Sequence, residues 1–113
     1  MPPKNELLRG TLEMLILKTL SITPMHGYGI AQHIQMLSAD VLTIEEGSLY
    51  PALQRMLRRG WVRSEWRTSD NNRRARYYAL TREGRKVLEA EIAEWRRAAG
   101  AVEAVLTFAL QGA

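Results

Sequence analysis

The chain contains no cysteine. That excludes a disulfide framework, a thiolate metal site and a thiol nucleophile. Only two histidines are present, His26 and His33. They lie seven residues apart with no acidic cluster at ligand spacing beside them. Only these two could serve as imidazole bases, and so little of the constellation for catalysis or a metal site exists that no catalytic residue, metal ligand or cofactor is expected. His26 is expected to support the turn into a helix and His33 to be exposed. No apolar run is long enough to cross a bilayer. The most apolar stretch, Leu12–Ile22, is interrupted by Glu13, Lys18 and Thr19. The opening MPPKNELLRG lacks the apolar core of a signal peptide. A soluble cytoplasmic protein without a membrane partner is the expectation. Internal repeats and low-complexity tracts are also missing.

What is present is basic charge, unevenly spread. Between Arg55 and Lys86 there are 11 basic and 3 acidic side chains, whereas the remainder holds 5 basic and 9 acidic. The net charge of +4 therefore hides a strongly cationic segment in a mildly acidic chain. Such a concentration is suited to a polyanion. With 113 residues, 46% of them hydrophobic, the chain suffices for one domain with a small core. Association with a second copy would add buried area.

Hydrophobic spacing predicts helices over about Glu6 to Leu20, Tyr28 to Leu37 and Ser48 to Arg58. In the first, Leu8, Leu12, Leu15, Ile16 and Leu20 form a core stripe. Thr23-Pro24 breaks the chain before the second. Gly27 and Gly29 suggest a tight entry or a close approach at its start. In the third, Pro51 is tolerated only in the first turn. Leu49, Leu53, Met56 and Leu57 form its inner side, and Gly60 is placed for a left-handed stop. Residues 61–66 and 75–80 read as two strands rich in aromatic residues. Thr68-Ser69-Asp70-Asn71-Asn72 forms the turn between them. Trp61 and Trp66 are expected to pack this hairpin on the helices. Tyr77 and Tyr78 point to opposite faces, one of them into the core.

Thr81 is a candidate N-cap for a last helix running from about Arg82 to Leu110. On it Leu88, Ile92, Trp95, Ala99, Val102, Leu106 and Ala109 step by four and three. That heptad seam calls for a partner helix. The expected dimer interface is thus Leu88, Ile92, Trp95, Ala99, Val102 and Leu106.

Three helices followed by a hairpin is the order of a winged helix-turn-helix, so the expected class is mainly α with a small β-hairpin (α+β). Residues 1–80 would form the DNA-binding domain and 81–113 a C-terminal dimerisation helix. Ser48, Tyr50, Gln54, Arg55 and Arg58 form the expected outer side of the recognition helix. Gln54 suits adenine and Arg55 suits guanine. Ser48 and Tyr50 suit phosphates near the helix start. Arg73, Arg74 and Arg76 crowd the hairpin beside Asn71 and Asn72, a composition for phosphates or a minor groove. Alternation puts Arg74 and Arg76 on one strand face. The expected partner is double-stranded DNA carrying an operator. The competing reading is a dimeric protein-interaction module without DNA affinity.

In four stretches the chain resembles the PadR family of bacterial transcriptional regulators. They are Leu12–Leu17 (LEMLIL), Met25–Ile30 (MHGYGI), Gly47–Leu53 (GSLYPAL) and Arg74–Thr81 (RARYYALT). The likeness covers residues 7–95. It implies a homodimeric winged-helix repressor of the short form, with one C-terminal dimerisation helix. It further implies that a flat aromatic small-molecule effector stacks on Trp95 at the dimer interface. Where many relatives carry a leucine-glutamate pair, this chain has Met56-Leu57.

Overall fold

The computed structural model describes residues 4–68 and 70–110. Residues 1–3, Ser69 of the hairpin turn and residues 111–113 of the expected dimerisation unit lie outside it. So does the side chain of Leu8. The elements run α1 (Lys4–Leu20), β1 (Met25–His26), α2 (Gly27–Leu37), α3 (Glu46–Arg58), β2 (Val62–Thr68), β3 (Arg74–Leu80) and α4 (Arg82–Leu106). The strands form one antiparallel sheet in the order β1-β3-β2.

α1 is the hub. From Leu12 onward it buries Leu12, Met14, Ile16, Leu17, Thr19 and Leu20, so apolar contact surrounds most of its circumference. A helix apolar on so many sides is an interior helix. The Thr19 hydroxyl satisfies itself on the Leu15 carbonyl at 2.8 Å. Around this hub pack Ile30 and Ile34 of α2, Leu49, Ala52, Leu53 and Met56 of α3, Val62 and Tyr78 of the sheet, and Leu88 of α4.

Local signals explain the joints. His26 accepts a hydrogen bond at Nδ1 from the Gly29 amide (2.9 Å) and so caps α2, as expected of it. The two glycines there are crowded by side chains. A β-carbon on Gly27 would run into the Tyr50 ring, and one on Gly29 would meet the His26 imidazole. Gly60 takes φ +76° and ends the turn after α3. The Thr81 hydroxyl accepts from the Gly84 amide at 3.0 Å, the bond of an N-cap.

Several elements differ from the sequence reading. β1 is a two-residue strand that period-two alternation has no room to reveal; it pairs Met25 with Tyr78 and His26 with Tyr77. α3 starts at Glu46, two residues early, capped by Glu45 without a side-chain bond. Pro51 therefore sits in the second turn, where it denies the exposed Gly47 carbonyl its helical donor. α4 ends at Leu106 on a Thr107 cap, so Ala109 lies beyond the helix. His33 is half-buried with Nε2 enclosed, because α2 turns it inward. Trp66 is 57% exposed, since it lies beyond the point where the hairpin leaves the core. Trp61, by contrast, is half-buried against the core under the Arg59 guanidinium.

α4 is only half enclosed. Gly84 and Leu88 are buried, and Val87 and Ile92 pack on the core. Every described residue from Gly100 to Leu110 is exposed. The radius of gyration is 16.7 Å, against about 13 Å for a compact chain of this size. The helix projects, which explains a long axis of 65 Å.

Candidate nucleic-acid interface

The outward stripe of α3 carries Gly47, Tyr50, Pro51, Gln54 and Arg58, spaced by three and four and all exposed. Ser48 is half-buried at the edge of this stripe. Arg55 departs from the expected set. It is turned about 100° around the helix from Gln54. There its Nε donates to Glu13 Oε1 of α1 at 3.1 Å. Arg59 approaches the same carboxylate at 3.8 Å. A guanidinium held by a half-buried carboxylate is committed within the fold. No local pattern reveals it, because Glu13 lies 42 residues away. Glu45 and Glu46 at the start of α3 place negative charge there, which disfavours phosphate at that helix end.

The register of the hairpin separates two faces. Val62, Ser64, Trp66 and Thr68 of β2 lie opposite Leu80, Tyr78, Arg76 and Arg74 of β3. Side chains directly opposite share a face, so this face begins in the core with Val62 and Tyr78 and runs outward to the arginines. Arg76 donates from Nε to Ser64 Oγ at 2.8 Å. The Arg74 guanidinium lies over the Trp66 ring, 5.4 Å from its centroid. Arg74 and Arg76 thus share one face, as alternation implied. The other face carries Arg63, Glu65, Arg67, Ala75, Tyr77 and Ala79. There Arg67 pairs with Glu65 and also covers Tyr77, which meets the His26 ring edge-on at 5.3 Å. The positive charge without a carboxylate among it is on the first face. Arg73 sits where the turn meets β3, and Asn72 takes φ +60° just before it.

Tyr78 joins this face to α3. Burial pushes its hydroxyl above the ordinary tyrosine range, the nearby Arg76 guanidinium pulls it down, and Tyr50 adds to the rise. Tyr50 is wedged over the bare backbone of Gly27, the residue that follows the His26–Tyr77 pair of β1 and β3. The stripe of α3 thus reaches the end of β1, which pairs with β3, the strand that carries Arg74 and Arg76.

The profile of the Transcriptional regulator PadR-like family matches residues 16–90, more than half of the chain. The chain belongs to the PadR-like family. Members are transcriptional regulators, not enzymes; they bind DNA and are typically dimers. Among solved structures it is similar to a PadR-like transcriptional regulator of Bacillus cereus. That likeness has a TM-score of 0.79 at 26% identity and covers 92% of this chain and 99% of that one. A PadR family regulator of Eggerthella lenta is 34% identical, with a TM-score of 0.75 and coverage of 92% and 88%. An uncharacterized protein from a Streptomyces fradiae transposon is 37% identical over 90 residues, which span 80% of this chain but only 24% of that protein.

Within the family frame, the seam residues divide. Leu88 is 5% exposed inside its own subunit's core, so it is not free to form the dimer interface expected of it. Ile92 packs partly on that core and Ala99 is half-buried. Trp95, Val102 and Leu106 are 50%, 58% and 72% exposed. Val105 and Phe108, outside the seam, are exposed too. A surface cleft of 620 Å³ is lined by Gln32, His33 and Met36 of α2, not by Trp95. Among the described residues no helix is long and apolar enough to cross a membrane, and no acidic or imidazole cluster could hold a metal ion.

Proposed function

We propose that this PadR-like regulator is a homodimeric repressor that grips its operator with α3 and the arginine face of the hairpin, presented twice. The observation that carries the reading is the placement of Tyr50 on Gly27, at the end of the β1 strand that pairs with Tyr77 and Tyr78. It brings the stripe of α3 up to the sheet whose β3 carries Arg74 and Arg76. Gln54 and Arg58 take the base edges of the major groove. Tyr50, Arg73, Arg74 and Arg76 hold backbone phosphates or the adjoining minor groove, and Ser48, half-buried beside Glu45 and Glu46, lies at the margin of that surface. Arg55 stays with Glu13 and supports α3. Residues 1–80 serve as the DNA-binding module and 81–113 as the dimerisation unit, with the first turns of α4 shared between them. Work on operators places the protein in the cytoplasm.

Substitutions on the two halves of the surface should read differently in fluorescence-anisotropy titrations with its own promoter region. Arg76→Ala should weaken binding to all duplexes and reduce the slope of log affinity against log salt by about 1. Gln54→Ala should change which promoter fragments are preferred, with the slope nearly unchanged. Wild-type behaviour from both variants would mean that this face does not meet DNA. The purely protein-binding alternative has only the exposed half of α4 in its favour.

Release by an effector would act at the seam. Trp95, half exposed on a helix that calls for a partner, and its copy are suited to stack a flat aromatic molecule between subunits. Quenching of tryptophan emission by flat aromatics should then disappear in Trp95→Ala while the dimer persists. Quenching that survives the substitution removes Trp95 from any such site.

A further inference from the structure

The outer part of the wing exposes an indole that the core does not use. Trp66 occupies the same face of β2 as buried Val62, yet 57% of it meets solvent. An aromatic ring left in water forgoes the burial that its area would gain, and exposed aromatics concentrate where a partner covers them. The surroundings say what kind of partner. Trp66 stands directly opposite Arg76 and beside Arg74, whose guanidinium is stacked on the ring. Arg76 is tied back to Ser64, whereas Arg74, beside the turn, leans back so that its guanidinium rests on the indole. The acidic residue of these two strands, Glu65, lies on the opposite face against Arg67.

We propose that Trp66 and Arg74 act as one minor-groove probe, resting on the DNA-binding reading above. The indole lies against the deoxyribose wall and presents the guanidinium stacked on it to the groove. Stacking limits the rotamers of Arg74 before DNA arrives, so less freedom is lost when it enters the groove. The narrow minor groove of A·T-rich DNA has the most negative potential and attracts an arginine there. The pair therefore gives the wing a preference for A·T-rich flanks, separate from base reading by α3. Trp66 is a specificity residue that acts through its own contact and through positioning Arg74.

Labelled duplexes of A·T-rich and of G·C-rich sequence, titrated at several salt concentrations, test this without knowledge of the operator. Wild type should favour the A·T-rich duplex. Trp66→Ala and Arg74→Ala should each lower affinity for it about tenfold and erase the preference. The double variant should bind within about twofold of Arg74→Ala alone, because coupled residues lose one shared contribution. Trp66→Phe, which keeps a ring for Arg74, should retain most of the preference. Thermal melting should show all variants folded, since the side chains are exposed. Unchanged affinity and preference in Trp66→Ala, or losses that simply multiply in the double variant, would overturn the proposal while leaving DNA binding intact. A wild-type protein with no affinity for either duplex would instead overturn the DNA-binding reading and this proposal with it.

Discussion

Val102→Glu combined with Leu106→Glu should convert the proposed homodimer into a monomer and weaken operator binding by about a hundredfold or more. Both side chains are exposed on the projecting half of α4, so the subunit's own core is untouched. Their burial has to come from outside the chain. In a twofold dimer each patch meets its own copy, so an introduced carboxylate is taken from water near its symmetry mate. Leaving one charge buried and unpaired costs roughly 3–5 kcal/mol, which is about two to three and a half decades in the association constant. The loss carries to DNA because a dimer binds its second half-site at a high effective concentration, whereas a monomer does not. Sedimentation velocity and a gel shift on the same samples read both effects. A double variant that still sediments as a dimer would show that α4 does not make the contact.

Gly84→Ala should destabilise the subunit by roughly 3 kcal/mol, the upper end for an added core methyl. A fall of about 15 °C in thermal midpoint would accompany it. Here α4 begins directly against the backbone: an alanine β-carbon would overlap the Trp61 carbonyl and press on Leu80. A flexible side chain could swing aside, but a carbonyl at the start of the hairpin cannot. The same carbonyl also accepts from the Thr81 amide at 3.1 Å, so the junction has little room to shift. Gly100 provides the contrast. An added β-carbon there meets nothing within 4 Å, in the middle of a helix where glycine costs about 1 kcal/mol relative to alanine. Gly100→Ala should therefore raise the midpoint by a few degrees. Equal effects at the two glycines would remove the close packing of α4 on the hairpin.

How much of this was legible in the sequence depends on the range of the forces involved. Periodicity marked α1, α2 and the body of α4 because a buried stripe repeats within the element itself. The Gly60 stop, the Thr81 cap and the His26 turn follow from chemistry within three residues. β1 escaped because two residues acquire strand geometry only by pairing with β3, about 50 residues later. The start of α3 escaped because Glu45 caps without a side-chain bond. The site was legible in its charge and its alternation. Arg74 and Arg76 fall on one face by counting, whereas the withdrawal of Arg55 depends on Glu13 of another helix. Leu88 fits the heptad seam perfectly well, yet it is spent on the subunit core, since periodicity does not say which neighbour a stripe meets. The approach of Tyr50 to the β1–β3 pair over Gly27 is a tertiary fact with no local signature.

If α3 and one face of the wing form a single surface for duplex DNA, a bound duplex should disturb both at once. Amide and arginine side-chain NMR shifts, followed while a duplex from the protein's own promoter region is added, read this out residue by residue. The largest changes should gather on Tyr50, Gln54, Arg58, Trp66, Arg74 and Arg76, with Arg55, Arg63 and Arg67 little affected. Changes centred on α2 or on the Arg63–Arg67 face, or none at all at saturating duplex, would contradict a single surface.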